Sequence, residues 1–202
     1  VSTPQIIVVN STQPYRTLAD FVDAARAKPG ELSIASVGPQ TTQHLGIERF
    51  KKLANINLTY VPYPGGSTTV NALIGGHVTS GVLNWSEIGE QVIAGKARAI
   101  ATMAAKHIEP LPDLPTINEA VPGVTMDGWF VLVAPAGTPV DIVQRMNREV
   151  GEFLKGDAIK QRLAGFGLAT SGAGTPQSTG EFIAREQAKW RELAVELNIE
   201  RQ

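Results

Sequence analysis

The sequence predicts an α/β fold with a largely parallel sheet, and three observations lead there. Short β-rich runs alternate with amphipathic stretches, Gly, Pro and Ser cluster at the breaks between them, and the apolar runs are short enough to be strands. Among the 202 residues, 43% are hydrophobic and 18% charged, which is the balance of an ordinary globular chain. A net charge of −1 with scattered basic residues provides no field for nucleic acid. No stretch approaches the roughly 18 uninterrupted apolar residues of a membrane span. Cysteine is absent, so disulfides, thiol catalysis and Cys-type zinc sites are not expected.

Taken in order, Ile6–Val9 reads as the first strand. Thr17 caps the next helix, and Asp20 three residues on completes a capping box. Leu18, Phe21, Val22 and Ala25 form its apolar stripe, and Pro29-Gly30 ends it. Leu32–Ser36 is the second strand, followed by a helix to about Ala54. Leu58–Val61 is the third strand, and the turn Pro62 to Ser67 opens another helix that closes at Gly75-Gly76. Strands are expected at Val78–Leu83 and Ala97–Met103, with a helix near Glu87–Ile93 between them. His107 to Pro115 reads as a long surface loop. Beyond Met126, Trp129–Ala134 is an expected strand, and Thr138-Pro139-x-Asp141 a helix start in which Thr caps. Val143, Met146, Val150 and Phe153 repeat at helical spacing, and Thr175-Pro176 opens a final helix in which Trp190 is expected in the core.

Motifs for catalysis are missing. His44, His77 and His107 lack metal-ligand spacing, and neither a Gly-x-Ser-x-Gly elbow nor a Walker-type Gly-Lys-Ser/Thr occurs. The expectation is therefore a protein that is not an enzyme and needs no cofactor and no metal.

Two strand-to-helix turns are rich in Gly and hydroxyl residues. Around Ser36, Gly38, Gln40, Thr41, Thr42 and His44, small residues leave backbone open where a helix begins. First-turn N–H groups have no intrahelical partner and carry partial positive charge, so they suit a carboxylate without any Arg or Lys. A Thr here serves either as a helix cap or as a ligand donor, and His44 either as a structural hydrogen-bond partner or as a ligand contact. Tyr63, Gly65 and Ser67 repeat the arrangement one unit later, and Asn84 stands as either a third wall or a helix cap. Neighbouring parallel strands open such turns on the same carboxyl-end edge, where open α/β sheets bind ligands.

An ordered series of segments carries a resemblance. It runs from Thr17-Leu18-Ala19-Asp20-Phe21 and Lys28-Pro29-Gly30-Glu31-Leu32, through Ala35-Ser36-x-Gly38 to His44-Leu45, then Val61-Pro62-Tyr63-x-Gly65, Gly75-Gly76-x-Val78 and Ala94-Gly95-Lys96. It continues through Leu111 to Thr116, Trp129-Phe130, Ala134 to Pro139, Gly174-Thr175-Pro176 and Trp190. The series resembles the tripartite tricarboxylate transporter substrate-binding family, the Bug-type extracytoplasmic receptors.

The resemblance implies a two-lobed, type II periplasmic-binding-protein fold. It also implies a periplasmic location and capture of a small carboxylate (dicarboxylate, tricarboxylate, amino acid or aromatic acid) for membrane transporter subunits. On this basis residues 1–9 are a crossover strand, 10–126 a complete ligand-binding lobe two, and 127–202 the return strand and C-terminal helices of an incomplete lobe one. The N-terminal part of lobe one is expected to be absent, and a homodimer is expected if truncation exposes its apolar surface. Gln40 stands where the family turn has a second Gly, Thr41 where it has Ser, and Leu83 where an acidic or aromatic residue is common. The alternative is an effector-sensing module that signals to a partner protein instead of delivering cargo.

Overall fold

The computed structural model describes residues 1–170 and 172–199. The end of the expected 127–202 segment, residues 200–202, and Ser171 lie outside the described residues. The chain divides into two compact units: Thr3–Gly128, and Val1–Ser2 together with the residues from Trp129 onward.

The first unit runs β1 (Ser2–Asn10), α1 (Leu18–Ala27), β2 (Ser33–Val37), α2 (Thr42–Ala54), β3 (Thr59–Tyr63), α3 (Gly66–Ile74), β4 (Ser80–Asn84), α4 (Trp85–Ile93), β5 (Ala97–Thr102) and α5 (Ile117–Ala120). The sheet order is β3-β2-β4-β1-β5. β2 is parallel to β3 and β4, whereas β1 is antiparallel to both β4 and β5. The sheet is thus mixed, not largely parallel as expected. Ile6–Val9 lies fully buried inside it, because an uninterrupted apolar run needs cover on both faces. A consequence is that the carboxyl ends of β2, β3, β4 and β5 and the start of β1 share one sheet edge.

Helices cover both faces. α3 and α4 bury Val70, Leu73, Trp85 and Ile88 against Ile6, Val8 and Leu83. Thr17 caps α1 through the expected box, its hydroxyl accepting from Asp20 N–H at 3.1 Å while Asp20 accepts from Thr17 N–H at 3.0 Å. Those backbone donors at Arg16 and Thr17 hold the Asp20 carboxyl below its ordinary range.

The second unit contains α6 (Val140–Lys155), α7 (Asp157–Gly165) and α8 (Pro176–Glu196). Strand β6 is only Asp127–Trp129, so the expected strand over Trp129–Ala134 does not form. Phe130 N–H still reaches Val1 O at 2.8 Å, but Leu132 and Val133 are about two-thirds exposed. Thr138 does not cap α6: Pro139 holds that place, and the Thr138 hydroxyl donates to Pro135 O at 2.8 Å instead. None of the expected stripe Val143, Met146, Val150 and Phe153 is buried. Trp190 is half-buried instead of core, with the Lys189 ammonium 4.9 Å above its ring; Leu193 is the buried residue of α8. Trp129 is held by Glu186, which accepts from its indole N–H at 3.1 Å, and by an edge contact with Phe182.

Candidate functional site

The site is built where β2 and β3 end side by side, Val37 being the register partner of Tyr63. The two turns are tied directly, as Gly38 N–H donates to Tyr63 O at 2.9 Å. Gly38 and Gln40 both take left-handed backbone, at φ 50° and 62°, which steers the chain from β2 into α2.

Several candidate side chains hold this turn in shape. Thr41 is the N-cap of α2: its hydroxyl accepts from His44 N–H at 3.3 Å and donates to Val37 O at 2.7 Å. Ser36 is fully buried and 3.1 Å from the Tyr60 hydroxyl. That hydroxyl donates its one proton to Gly38 O at 2.7 Å, so Ser36 is the donor to Tyr60. His44 Nδ1 accepts from Gln40 N–H at 3.1 Å, and its ring lies on Tyr60 with centroids 4.3 Å apart. Burial disfavours the imidazolium and lowers the His44 pKa, with Lys51 adding to the effect and Glu48 opposing it. His44 therefore stands neutral, with Nδ1 unprotonated.

Thr42 differs from these. As the first residue of α2 it has a backbone N–H with no intrahelical acceptor, and so has Gln43. Its hydroxyl accepts from Gln5 Nε2 at 2.9 Å, which leaves its own proton unassigned. Gln5 is 1% exposed, and its Oε1 has no partner; nor has Thr3 Oγ1, two residues earlier on the same face of β1. Polar atoms buried this completely are normally satisfied, so Gln5 and Thr3 have hydrogen-bonding capacity in hand at this edge.

The second turn is arranged otherwise. Gly65 is the N-cap of α3 and has no side chain to cap it; its own N–H goes to Thr68 Oγ1 at 3.2 Å. Ser67 is exposed, and Tyr63 is half-buried against the α3–α4 core. Asn84 is the N-cap of α4, where its N–H donates to Glu87 Oε2 at 2.8 Å. The other carboxylate oxygen of Glu87 lies against the α carbon of Gly66, so close that a Cβ there would overlap it.

Gly38, Gln40, Thr41 and Thr42 thus come together on one turn, with Gly65 and Ser67 on its neighbour and Asn84 at the end of β4. Gln5, Tyr60 and Glu87 were not among the sequence candidates. A lone amide ahead of an apolar strand marks Gln5, and the Asn-x-x-Glu spacing of a capping box marks Glu87. Nothing local distinguishes Tyr60. Among the described residues no group of His, Asp and Glu could hold a metal, and no helix is long and apolar enough to cross a membrane.

The family model described as "Tripartite tricarboxylate transporter family receptor" matches residues 1–199. Protein BugT of Bordetella pertussis is 30% identical over 188 residues, covering 93% of this chain and 57% of the relative. A solved structure, "R. palustris Rpa4515 with adipate", is 34% identical with a TM-score of 0.92, covering 98% of this chain and 66% of that one. Another, "Structure of a periplasmic transporter", is 28% identical with a TM-score of 0.90 over the same shares. The chain spans between 49% and 59% of the length of the first curated relatives it matches. These likenesses agree with the expected Bug-type resemblance and periplasmic-binding-protein fold.

Proposed function

We propose, since this chain belongs to the tripartite tricarboxylate transporter family of receptors, that it serves in an extracytoplasmic receptor that captures a small carboxylate. The receptor works in the periplasm and hands its cargo to membrane transporter subunits, without chemistry on it. The observation that carries this reading is the start of α2. There the N–H groups of Thr42 and Gln43 lack intrahelical acceptors, and the Thr42 hydroxyl, already accepting from Gln5, has a proton to give. Three donors converge at the positive end of a 13-residue helix, which suits an anion without a salt-bridge partner. The adipate in the R. palustris relative is a cargo of this chemical class.

Thr3–Gly128, with its complete mixed sheet, acts as the ligand-binding lobe two in this reading, and the residues from Trp129 onward belong to lobe one. Gly38, Gln40, Thr41 and Thr42 form the anion turn, with Ser36 and His44 shaping it from behind. A thermal-shift panel of mono-, di- and tricarboxylates, amino acids and aromatic acids tests the proposal. Ligand bound to the native state raises the melting temperature by mass action. A concentration-dependent rise with at least one acid is expected, and no rise with any acid would overturn the reading.

A further inference from the structure

Glu87 lies on the edge of the proposed carboxylate site and bears a charge that this site was not expected to contain. Its Oε2 is fixed by the N–H of Asn84 at 2.8 Å, while Oε1 faces Gly66, the first residue of α3. Gly66 is what allows that approach, because a Cβ would meet the Glu87 carboxylate and come within 3.1 Å of its Cγ. No Lys, Arg or His pairs with Glu87 among the described residues. Gly65 brings no side-chain cap, so the first turn of α3 has the Glu87 carboxylate beside it where the neighbouring turn of α2 has none. Two turns of similar sequence therefore differ in sign: one is open to an anion, and the other already has one.

Gln5 adds an independent observation at the same edge. Its Oε1 is a buried acceptor without a donor, and the amide is anchored on Thr42, the residue that opens α2. The edge thus combines donors at the start of α2 with an unpartnered acceptor at Gln5 and a carboxylate at Glu87 that accepts from Asn84 N–H but faces no cation among the described residues. A second anionic group of the cargo extending toward the α3 turn would be opposed by the Glu87 carboxylate, whereas a cation there would be attracted.

From this we infer that Glu87 is a specificity-determining residue, which makes the cargo a carboxylate carrying an ammonium group in preference to an α,ω-dicarboxylate. The inference rests on the receptor reading above, with the carboxylate of the cargo on the α2 turn and its ammonium toward Glu87.

Calorimetric titration with matched pairs tests it: succinate against 4-aminobutyrate, glutarate against 5-aminopentanoate, and adipate against 6-aminohexanoate. In each pair that binds, the amino member should bind about tenfold tighter, one charge contact being on the order of a single decade in affinity. Glu87→Gln keeps the side-chain length and an oxygen for Asn84 N–H, so it should fold normally and lower that ratio about tenfold. Diacids favoured by the wild type, or a ratio unchanged in Glu87→Gln, would overturn the inference and leave Glu87 as the cap of α4. Should no member of any pair bind, the inference falls, while the receptor reading stands or falls on the wider panel of acids.

Discussion

The Tyr60 hydroxyl donates to Gly38 O at 2.7 Å and accepts from the buried Ser36 at 3.1 Å, so a residue of β3 fixes the left-handed turn that leads into α2. Tyr60→Phe removes both bonds while keeping the ring on His44. The fully buried Ser36 hydroxyl, left unpaired, costs about 1–3 kcal/mol. Chemical denaturation should show that loss, and carboxylate affinity should fall with it as the turn loosens. An unchanged midpoint would mean that the turn is held without Tyr60.

Thr42→Val replaces a hydroxyl by a methyl of nearly the same volume. Gln5, already without a partner at Oε1, would then lose the acceptor for Nε2 as well. The expected destabilisation is about 1–3 kcal/mol, with carboxylate affinity lowered by about tenfold or more because a donor is gone. Thr41→Ala, in contrast, removes the helix cap and should cost about 1 kcal/mol of stability with a smaller effect on affinity. Denaturation and calorimetry on the two variants separate these roles; equal effects on binding would contradict the assignment.

Gly66→Ala forces a methyl group onto the Glu87 carboxylate. Either Glu87 swings away and gives up the Asn84 N–H, or α3 shifts. A cost of about 1–3 kcal/mol is expected, typical of an overpacked contact. Pairing it with Glu87→Ala should recover most of that loss, and additive costs in a double-mutant cycle would show that the two residues do not meet.

His44 gives the protein a pH dependence with a definite sign. In the unfolded chain it protonates near pH 6.5, and burial lowers its pKa in the folded state. Between those two values the unfolded state binds more protons, so stability falls as pH drops below about 6.5 and is unaffected above it. Protonation would also set an N–H on Nδ1 against Gln40 N–H. Denaturation midpoints from pH 7.5 to pH 5 should decline in the wild type more steeply than in His44→Gln. Parallel curves would contradict this.

Much of the lobe was legible in local signals. The Thr17–Asp20 box, the stripe of Leu18, Phe21, Val22 and Ala25, and the paired turns after β2 and β3 are all short-range patterns, and each formed as read. Strand direction was not, since Ile6–Val9 announces burial on both faces but says nothing about running antiparallel to β4 and β5. Thr138 looked like a cap because Thr-Pro-x-Asp is a common start, yet Pro135 O captured its hydroxyl. The site was legible as backbone and incomplete as side chains. Glu87 meets Gly66, and Gln5 meets Thr42, across sequence gaps that no local pattern spans.

The central claim is that a carboxylate sits on the first turn of α2. Amide chemical-shift mapping during titration with the best acid of the thermal-shift panel tests it most directly. Saturable shifts concentrated on the amides of Gly38, Gln40, Thr41, Thr42 and Gln43, reached only at about tenfold or more higher acid concentration in Thr42→Val, are the predicted result. Binding that leaves those amides unmoved and shifts another part of the chain would contradict the account.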